Sequence, residues 1–411
     1  MKILFLSKYY DNYLNYFFSV HNPDQYISYS SLYNKIIRDR YFWSDYFKQE
    51  LPVYGYNVEQ LIVDAKPLQI RWAEEHQASY SEDNWYFDII LEQIKEYKPE
   101  ILFIQDWAPE LGSEFIQLVK GQCPSVKVVI GYCGDGHPSP SYFKEHDFVI
   151  SCAKDNVDLF NRNGLTAYHI YHAFFPGILN QLDSTSKIDS ELGFIGRVNP
   201  SSQFHKQRAL FLACLSESVP FSIHGEIIGV ERKYYSFKEA LYDGVFQFGS
   251  WFFDYKSFQN NKYVANYLQY KESKFLNESL VRLQRYQGKQ YLGLKMFDVL
   301  RRYRMLLNYH ISPVCAANLR LFEVTGMGTC LITDWKENIV ELFEPDTEVV
   351  TFRSVEEAKD KITFLLKNPD VIKSISQAGQ KRTLRDHTYA KRAQDMHNIF
   401  SDYLKNHYKS N

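Results

Sequence analysis

The sequence predicts an α/β protein made of two Rossmann-like domains, each a parallel sheet with helices on both faces. Short runs of β-branched residues alternate with longer amphipathic segments, and this alternation restarts after residue 184. The length of 411 residues also suits two domains of ordinary size. We therefore place an N-terminal domain at 1–183 and a C-terminal domain at 184–387.

The first domain contains six short apolar runs, which we interpret as the strands of one sheet. Amphipathic segments at 85–97 and 110–120 separate some of these runs, as in βαβ units. The predicted strands are 3–6, 60–63, 101–104, 126–130, 148–151 and 167–171. We assign 10–60 and 70–85 to loops, the kind of segment that often carries binding specificity.

The second domain repeats this pattern after a polar linker that opens at Pro176. Its predicted strands are 192–195, 221–224, 306–312, 330–333 and 349–352. Its predicted helices are 205–215, 318–325, 355–366 and 369–382, and a last helix covers 389–404. Residues 231–290 are rich in Tyr, Phe, Asn, Gln and Lys and show little alternation, so we expect a helical insertion with loops.

The composition argues against several classes of protein. Lys+Arg 47 and Asp+Glu 49 leave a net charge of −2, without the excess of cations typical of nucleic-acid binders. Aromatic residues make up 17% of the chain and can build cores or stack on sugar rings. The six cysteines form no Cys-x-x-Cys pair, which favours buried thiols in a reducing compartment. No run of 18 apolar residues occurs, and we expect a cytoplasmic protein without a transmembrane segment.

A glycine and a cation follow the first strand of the second domain. Gly196 and Arg197 end strand 192–195, and the next helix carries Lys206 and Arg208. A glycine at the carboxyl end of a parallel strand lets a ligand approach the backbone, and a helix N-terminus attracts anions. These cations are therefore candidates for binding a diphosphate. The alternative is a chance strand–glycine–arginine sequence without a function.

The most informative stretch begins at Asn318. A short predicted helix carries Arg320 and Glu323, and glycines and an apolar strand follow it. A glutamate facing a cleft can accept hydrogen bonds from two vicinal ribose hydroxyls. The alternative is a simple ion pair, because Arg320 and Glu323 lie three residues apart on one helix face.

From about residue 291 to 400, the sequence resembles retaining GT-B glycosyltransferases, most of all the branch that includes spore-maturation (CgeB-like) proteins. The motifs are Asn-Leu-Arg-Leu-Phe-Glu at 318–323, the segment 341–350, Ser-Val-Glu-Glu-Ala at 354–358, Ala-Gly-Gln-Lys-Arg at 378–382 and His-Thr-Tyr at 387–389. The resemblance implies a GT-B fold with two sheets facing a central cleft. It also implies that a C-terminal helix, 388–411, returns to the first domain.

The resemblance further implies a transferase that uses a UDP- or GDP-sugar as co-substrate and needs no cofactor. The expected donor site consists of Gly196, Arg197, Lys206, Gly225, Lys295, Asn318, Arg320 and Glu323. In the broader group two glutamates stand eight residues apart, and the first would fall at Cys315, so the sequence departs from that pattern. Asn318 or Arg320 are candidates to take over its contact with the donor sugar.

No metal is expected at the donor diphosphate. The sequence contains no Asp-x-Asp, the motif with which metal-dependent glycosyltransferases of the GT-A fold hold a cation. A GT-B site uses Arg, Lys and helix dipoles for the leaving group. We therefore expect Arg197 and Arg320 to take part in catalysis.

The first domain is expected to bind the acceptor, which is a glycan, a lipid-linked sugar or a small molecule. Asp135 and His137 follow strand 126–130, and Asp106 follows strand 101–104. These groups could orient an acceptor hydroxyl at the cleft, and we expect Asp135 and His137 to be catalytic. The alternative at 131–138 is a glycine-rich turn that contains an aspartate. The expected partners include no nucleic acid, and peripheral membrane contact fits a lipid-linked acceptor.

Two other functions remain open at this point. The chain could be a GT-B nucleotide-sugar epimerase. A phosphorylase of this fold is disfavoured, because it would need a lysine for pyridoxal phosphate in a much larger chain. The chain could also be a binding protein that lost turnover together with the glutamate missing at Cys315.

Overall fold

The computed structural model describes residues 1–105, 109–134, 138–183, 188–200, 203–230, 262–310, 312 and 314–407. Its strands form two six-stranded sheets. The first sheet contains β1 (Lys2–Ser7), β2 (Asn57–Ile62), β3 (Ile101–Gln105), β4 (Val128–Cys133), β5 (Phe148–Ser151) and β6 (Ala167–His169). The second sheet contains β7 (Ser190–Ile195), β8 (Ser222–His224), β9 (Gln287–Gly288), β10 (Tyr303–Asn308), β11 (Cys330–Asp334) and β12 (Val350–Phe352).

The first sheet has the order β2-β1-β3-β4-β5-β6, and every neighbouring pair is parallel. Strands β3, β4 and β5 are buried along their whole length, because helices cover both faces of a parallel sheet. The predicted set of six strands is confirmed. The fourth strand begins at Val128, two residues later than predicted.

Seven helices of the described chain belong to the segments of the first sheet. They are α1 (Asp11–Val20), α2 (Tyr29–Arg38), α3 (Tyr46–Glu50), α4 (Lys66–His76), α5 (Trp85–Tyr97), α6 (Ser113–Gln122) and α7 (Lys154–Arg162). The prediction of loops throughout 10–60 was wrong, because this region contains three helices. Helix α2 begins with a capping box in which Ser28 and Ser31 exchange hydrogen bonds between side chain and backbone.

The second sheet has the order β12-β11-β10-β7-β8-β9. The helices that follow in the sequence are α8 (Gln203–Leu215), α9 (Lys262–Gln284), α10 (Gly293–Leu300), α11 (Arg320–Gly326), α12 (Ile339–Leu342), α13 (Val355–Lys367), α14 (Pro369–Asp386) and α15 (Tyr389–His407). Helix α9 confirms helical structure in the predicted insertion, whose residues 231–261 lie outside the described chain. Strand β10 ends at Asn308 rather than at residue 312, because the backbone N–H of His310 donates to the side chain of Asp334.

Contacts divide the chain into two compact units. The larger unit comprises Met1–Ser190, Tyr291–Thr351 and Asp370–Asn411, and the smaller unit comprises Glu191–Gln290 and Phe352–Pro369. Within the larger unit α15 packs against α3, and the rings of Phe400 and Tyr403 contact Phe148 of β5. The predicted return of the last helix to the first sheet is therefore confirmed. The domain boundary near residue 184 stays a prediction.

Candidate donor site

In the smaller unit, two glycines follow the neighbouring strands β7 and β8. Gly196 donates its N–H to the carbonyl of His224 at 3.1 Å. A Cβ atom on Gly225 would overlap the carbonyl group of Gly196. The close approach of the two backbones therefore requires glycine at 225, whether or not a ligand binds there.

The cations beside these glycines have acidic partners. Arg197 Nη2 lies 2.9 Å from Glu226 Oε2, and about half of the Arg197 side chain is exposed. Lys206 forms an ion pair with Glu272 of α9. Such pairs near the surface are weak and exchange readily for an anionic ligand. Arg197 and Lys206 thus remain available to a diphosphate.

Arg208 has a structural role in the same unit. It is 8% exposed, donates to the backbone carbonyl of Arg197, and lies over the ring of Phe194. The buried guanidinium thereby supports the loop that carries Arg197. Substitution of Arg208 would disturb that loop even if the side chain never touched a ligand.

In the larger unit, α11 carries the acidic residue that the sequence singled out. Glu323 is 7% exposed, and its Oε2 atom lies 2.7 Å from Arg320 Nη1. The ion pair expected from their i,i+3 spacing is therefore present. Arg320 Nη1 also contacts the Met296 sulfur at 3.1 Å. Both charges are held in one defined place at the start of a short helix.

Glu323 lines a small pocket among aromatic and apolar side chains, which we call the Glu323 pocket. Its other lining residues are Phe42, Tyr46, Ala173, Phe174, Phe175, Ile178, Phe297, Leu319 and Tyr389. Burial raises the pKa of Glu323, and the nearby Arg320 lowers it in part. Glu323 is the acidic group among otherwise aromatic and apolar lining residues, so its carboxyl oxygens can accept hydrogen bonds from hydroxyl donors there.

The two remaining candidates of this unit differ in exposure. Lys295 on α10 is largely exposed and pairs with Asp298 at 2.7 Å, one turn further along its helix. Asn318 is half-buried, and its Nδ2 atom donates to Asn308 Oδ1 at 2.6 Å. Asn318, Arg320 and Glu323 all lie at or directly before the first turn of α11, and we take these three as the centre of the candidate site.

The loop before α11 is held by contacts that the sequence did not predict. Ala316 donates its N–H to Asn338 Oδ1 at 2.7 Å and accepts from Asn338 Nδ2 at 2.9 Å. Tyr171 Oη in turn accepts from Asn338 Nδ2 at 3.1 Å. These contacts fix the backbone two residues before Asn318, and therefore position the helix that carries Glu323.

The expected acceptor residues fall outside the described chain, since Asp106, Asp135 and His137 belong to the intervals that are not described. Their roles stay predictions. Close to them in sequence, Tyr132 Oη lies 3.1 Å from His172 Nε2. Burial lowers the pKa of His172 to about 4, so this imidazole is neutral at physiological pH.

Two searches of the described residues found nothing. No cluster of three or more His, Cys, Asp and Glu side chains there is arranged to hold a metal ion. In the same part of the chain, no helix is both long and apolar enough to cross a membrane. The expected independence from metal stays a prediction.

Comparison with solved structures identifies the fold. A glycosyltransferase from Rickettsia africae superposes with a TM-score of 0.54 and 12% identity, covering 98% of this chain and 99% of that one. Anabaena Alr3699/HepE in complex with UDP-glucose superposes with a TM-score of 0.53 and 12% identity, covering 98% of this chain and 100% of that one. Sucrose-phosphate synthase from Thermosynechococcus elongatus superposes with a TM-score of 0.53 and 10% identity, covering 99% of this chain and 100% of that one. The chain has the GT-B fold of two Rossmann-like sheets.

Sequence comparison gives a narrower match. The family described as "Glycosyl transferase-like" matches residues 207–398, a segment that includes Asn318, Arg320 and Glu323. No curated protein matches this chain.

Proposed function

We propose that this protein is a glycosyltransferase that moves a sugar from a UDP- or GDP-sugar to an acceptor hydroxyl. The observation that carries the proposal is Glu323, a buried carboxylate that is paired with Arg320 and lines the Glu323 pocket. It lies in the segment that matches glycosyl transferase-like sequences. A structurally similar protein, Alr3699/HepE, is known in complex with UDP-glucose. We further propose that the chain belongs to the CgeB-like branch and transfers with retention.

In this proposal, Glu323 accepts hydrogen bonds from the two ribose hydroxyls of the donor. Arg320, which pairs with this carboxylate, stabilises the negative charge that develops on the nucleoside diphosphate. We propose diphosphate binding also for Arg197 and Lys206 of the smaller unit. We also propose that the backbones at Gly196 and Gly225 let a diphosphate approach, and that Lys295 contributes to donor binding. Asp135 and His137 orient the acceptor, which is a glycan, a lipid-linked sugar or a small molecule. The transfer needs no metal, and we place it in the cytoplasm.

Turnover of nucleotide sugars tests this function. Purified protein is incubated with UDP-glucose, UDP-N-acetylglucosamine or GDP-mannose, with and without acceptor sugars, and released UDP or GDP is measured. We expect release from at least one donor, and the same rate with EDTA. Nucleotide binding without release would instead favour the binding protein. Loss of activity in EDTA that manganese restores would contradict the metal-free mechanism.

A further inference from the structure

A chain of buried hydrogen bonds connects the end of β11 to Asn318. The backbone N–H and the Nδ1 atom of His310 lie 2.8 and 2.7 Å from Asp334 Oδ1. Asn308 Nδ2 lies 2.9 Å from Thr333 Oγ1 and 3.5 Å from His310 Nε2. Asn308 Oδ1 accepts from Asn318 Nδ2 at 2.6 Å. His310, Asn308 and Thr333 are each less than 5% exposed, and Asp334 is 7% exposed. Asn318 is half-buried.

The ionised carboxylate of Asp334 sets the direction of this chain. Burial by itself raises the pKa of Asp334, but its contacts with His310, together with Lys336, outweigh burial and lower it. An ionised carboxylate only accepts hydrogen bonds, so the facing Nδ1 atom of His310 carries a proton. With its nitrogen turned towards Thr333 and His310, the Asn308 amide presents its oxygen to Asn318.

The chain of donors therefore leaves one acceptor unused at its far end. Asn318 engages its nitrogen with Asn308, and its Oδ1 atom is buried and has no hydrogen-bond partner in the described part of the chain. A buried acceptor without a partner costs about 1–3 kcal/mol. Asn318 lies directly before α11, and the neighbouring Ala316 is clamped by Asn338. The oxygen is thus held in a fixed position beside the helix that carries Glu323.

We propose that Asp334 and His310 are positioning residues that act through Asn308 to hold the Asn318 carboxamide, so that its oxygen accepts a hydrogen bond from a hydroxyl of the transferred sugar. This inference rests on the proposed function. The phosphates of a nucleotide have no hydrogen-bond donor for this oxygen, whereas every sugar hydroxyl can donate a hydrogen bond to it. The ribose hydroxyls are already assigned to Glu323. Of the donors that remain, the N–H groups of the base and the hydroxyls of the transferred sugar, we assign a sugar hydroxyl to Asn318, because a contact with the base would affect the free nucleotide equally.

Calorimetric titration with a nucleotide and the matching nucleotide sugar tests the inference. The probes are UDP with UDP-glucose, and GDP with GDP-mannose. We expect Asn318→Leu to weaken binding of the nucleotide sugar five- to tenfold and to change binding of the free nucleotide less than twofold. Asp334→Asn is expected to give the same selective loss, with the double variant no weaker than Asn318→Leu alone. Glu323→Gln is the matched control, since it should weaken both members of a pair.

Several outcomes would overturn the inference. Equal loss for the free nucleotide and the nucleotide sugar would indicate a structural role, and additive losses would show that Asp334 does not act through Asn318. If Asp334→Asn melts at a much lower temperature than the wild type, Asn318→Leu alone decides, because its side chain is only half-buried. Wild-type protein that binds the nucleotides but gains no affinity from either sugar also refutes the inference. Wild-type protein that binds none of the four probes refutes the proposed function instead.

Discussion

The Sγ atom of Cys315 lies 3.1 Å from Oδ1 of Asp155, a residue 160 positions earlier in the chain. Cys315 occupies the position where the resemblance to retaining glycosyltransferases places a glutamate. A carboxylate from the first turn of α7 therefore lies beside this position, although the position itself carries a thiol. This contact makes the chemistry of Cys315 testable without knowledge of the substrate.

Cys315 is expected to resist alkylation. Burial raises the pKa of its thiol to about 12, and the hydrogen bond with Asp155 contributes to this rise. At pH 8 only about one thiol in ten thousand is then ionised, and the thiolate is the reactive form. Iodoacetamide should therefore modify the less buried Cys214 first, as measured by mass spectrometry of peptides. Asp155→Asn should speed the reaction of Cys315, and urea should abolish the difference. Equal labelling of both cysteines in the folded wild type would contradict the contact.

Glu323→Gln is expected to weaken nucleotide binding roughly tenfold or more, because hydrogen bonds to charged groups contribute about 1.5–3 kcal/mol. The substitution keeps the shape of the side chain but removes the charge paired with Arg320. Isothermal titration calorimetry with UDP and GDP measures the effect. Glu341→Gln serves as control, because Glu341 forms an exposed ion pair with Lys154. An unchanged dissociation constant for Glu323→Gln would remove Glu323 from the donor site.

Arg197→Ala and Arg320→Ala are each expected to lower kcat/KM. The expected decrease corresponds to a loss of about 2–4 kcal/mol of transition-state stabilisation. Lys206→Ala should cost less, because only 19% of the Lys206 side chain is exposed to a ligand, against 48% for Arg197. Initial rates with the best donor provide the measurement, and thermal melting separates lost chemistry from misfolding. Glu226→Gln is the control, since it removes the partner of Arg197 and keeps the cation. Wild-type rates in both arginine variants would place the diphosphate elsewhere.

Gly225→Ala is expected to destabilise the fold by about 2 kcal/mol or more, since overpacking against backbone leaves no side chain that can move away. The added methyl group would overlap the carbonyl of Gly196. Gly121→Ala is the matched control, because a Cβ atom at this helical position meets nothing within 4 Å. Alanine there should stabilise by about 0.5–1 kcal/mol. Urea unfolding of the two variants gives the comparison. Equal midpoints would refute the close approach at Gly225.

Asp64 is expected to make stability depend on pH. Burial raises its pKa to about 7, although the backbone N–H of Tyr9 donates to both carboxylate oxygens and lowers it in part. Below about pH 4 the group is protonated in both states. As the pH rises towards 7, the unfolded chain ionises first, so the folded state loses relative stability by up to a few kcal/mol. The melting temperature of Asp64→Asn minus that of the wild type should therefore increase between pH 4 and 7. A constant difference across this range would contradict the raised pKa.

The alternation of apolar and amphipathic segments was enough to predict most of both sheets. Strand β5 and helix α5 were predicted to the residue, since a strand buried on both faces is apolar throughout and a surface helix repeats its apolar face. The helices before residue 77 were missed. Their buried faces include tyrosines such as Tyr13 and Tyr33, which blur the contrast between apolar and polar positions.

The sequence alone determined the βαβ order and the likeness of 318–323 to a nucleotide-binding motif. It also offered the ion pair of Arg320 and Glu323 as the alternative interpretation of that motif, because residues three apart on a helix are neighbours, and this pair is present. Only the tertiary structure decided which distant groups meet, as in the pairs Asp155–Cys315 and His310–Asp334. Parallel strands bring their carboxyl ends together however long the connecting chain is, so such contacts leave no periodic signal in the sequence.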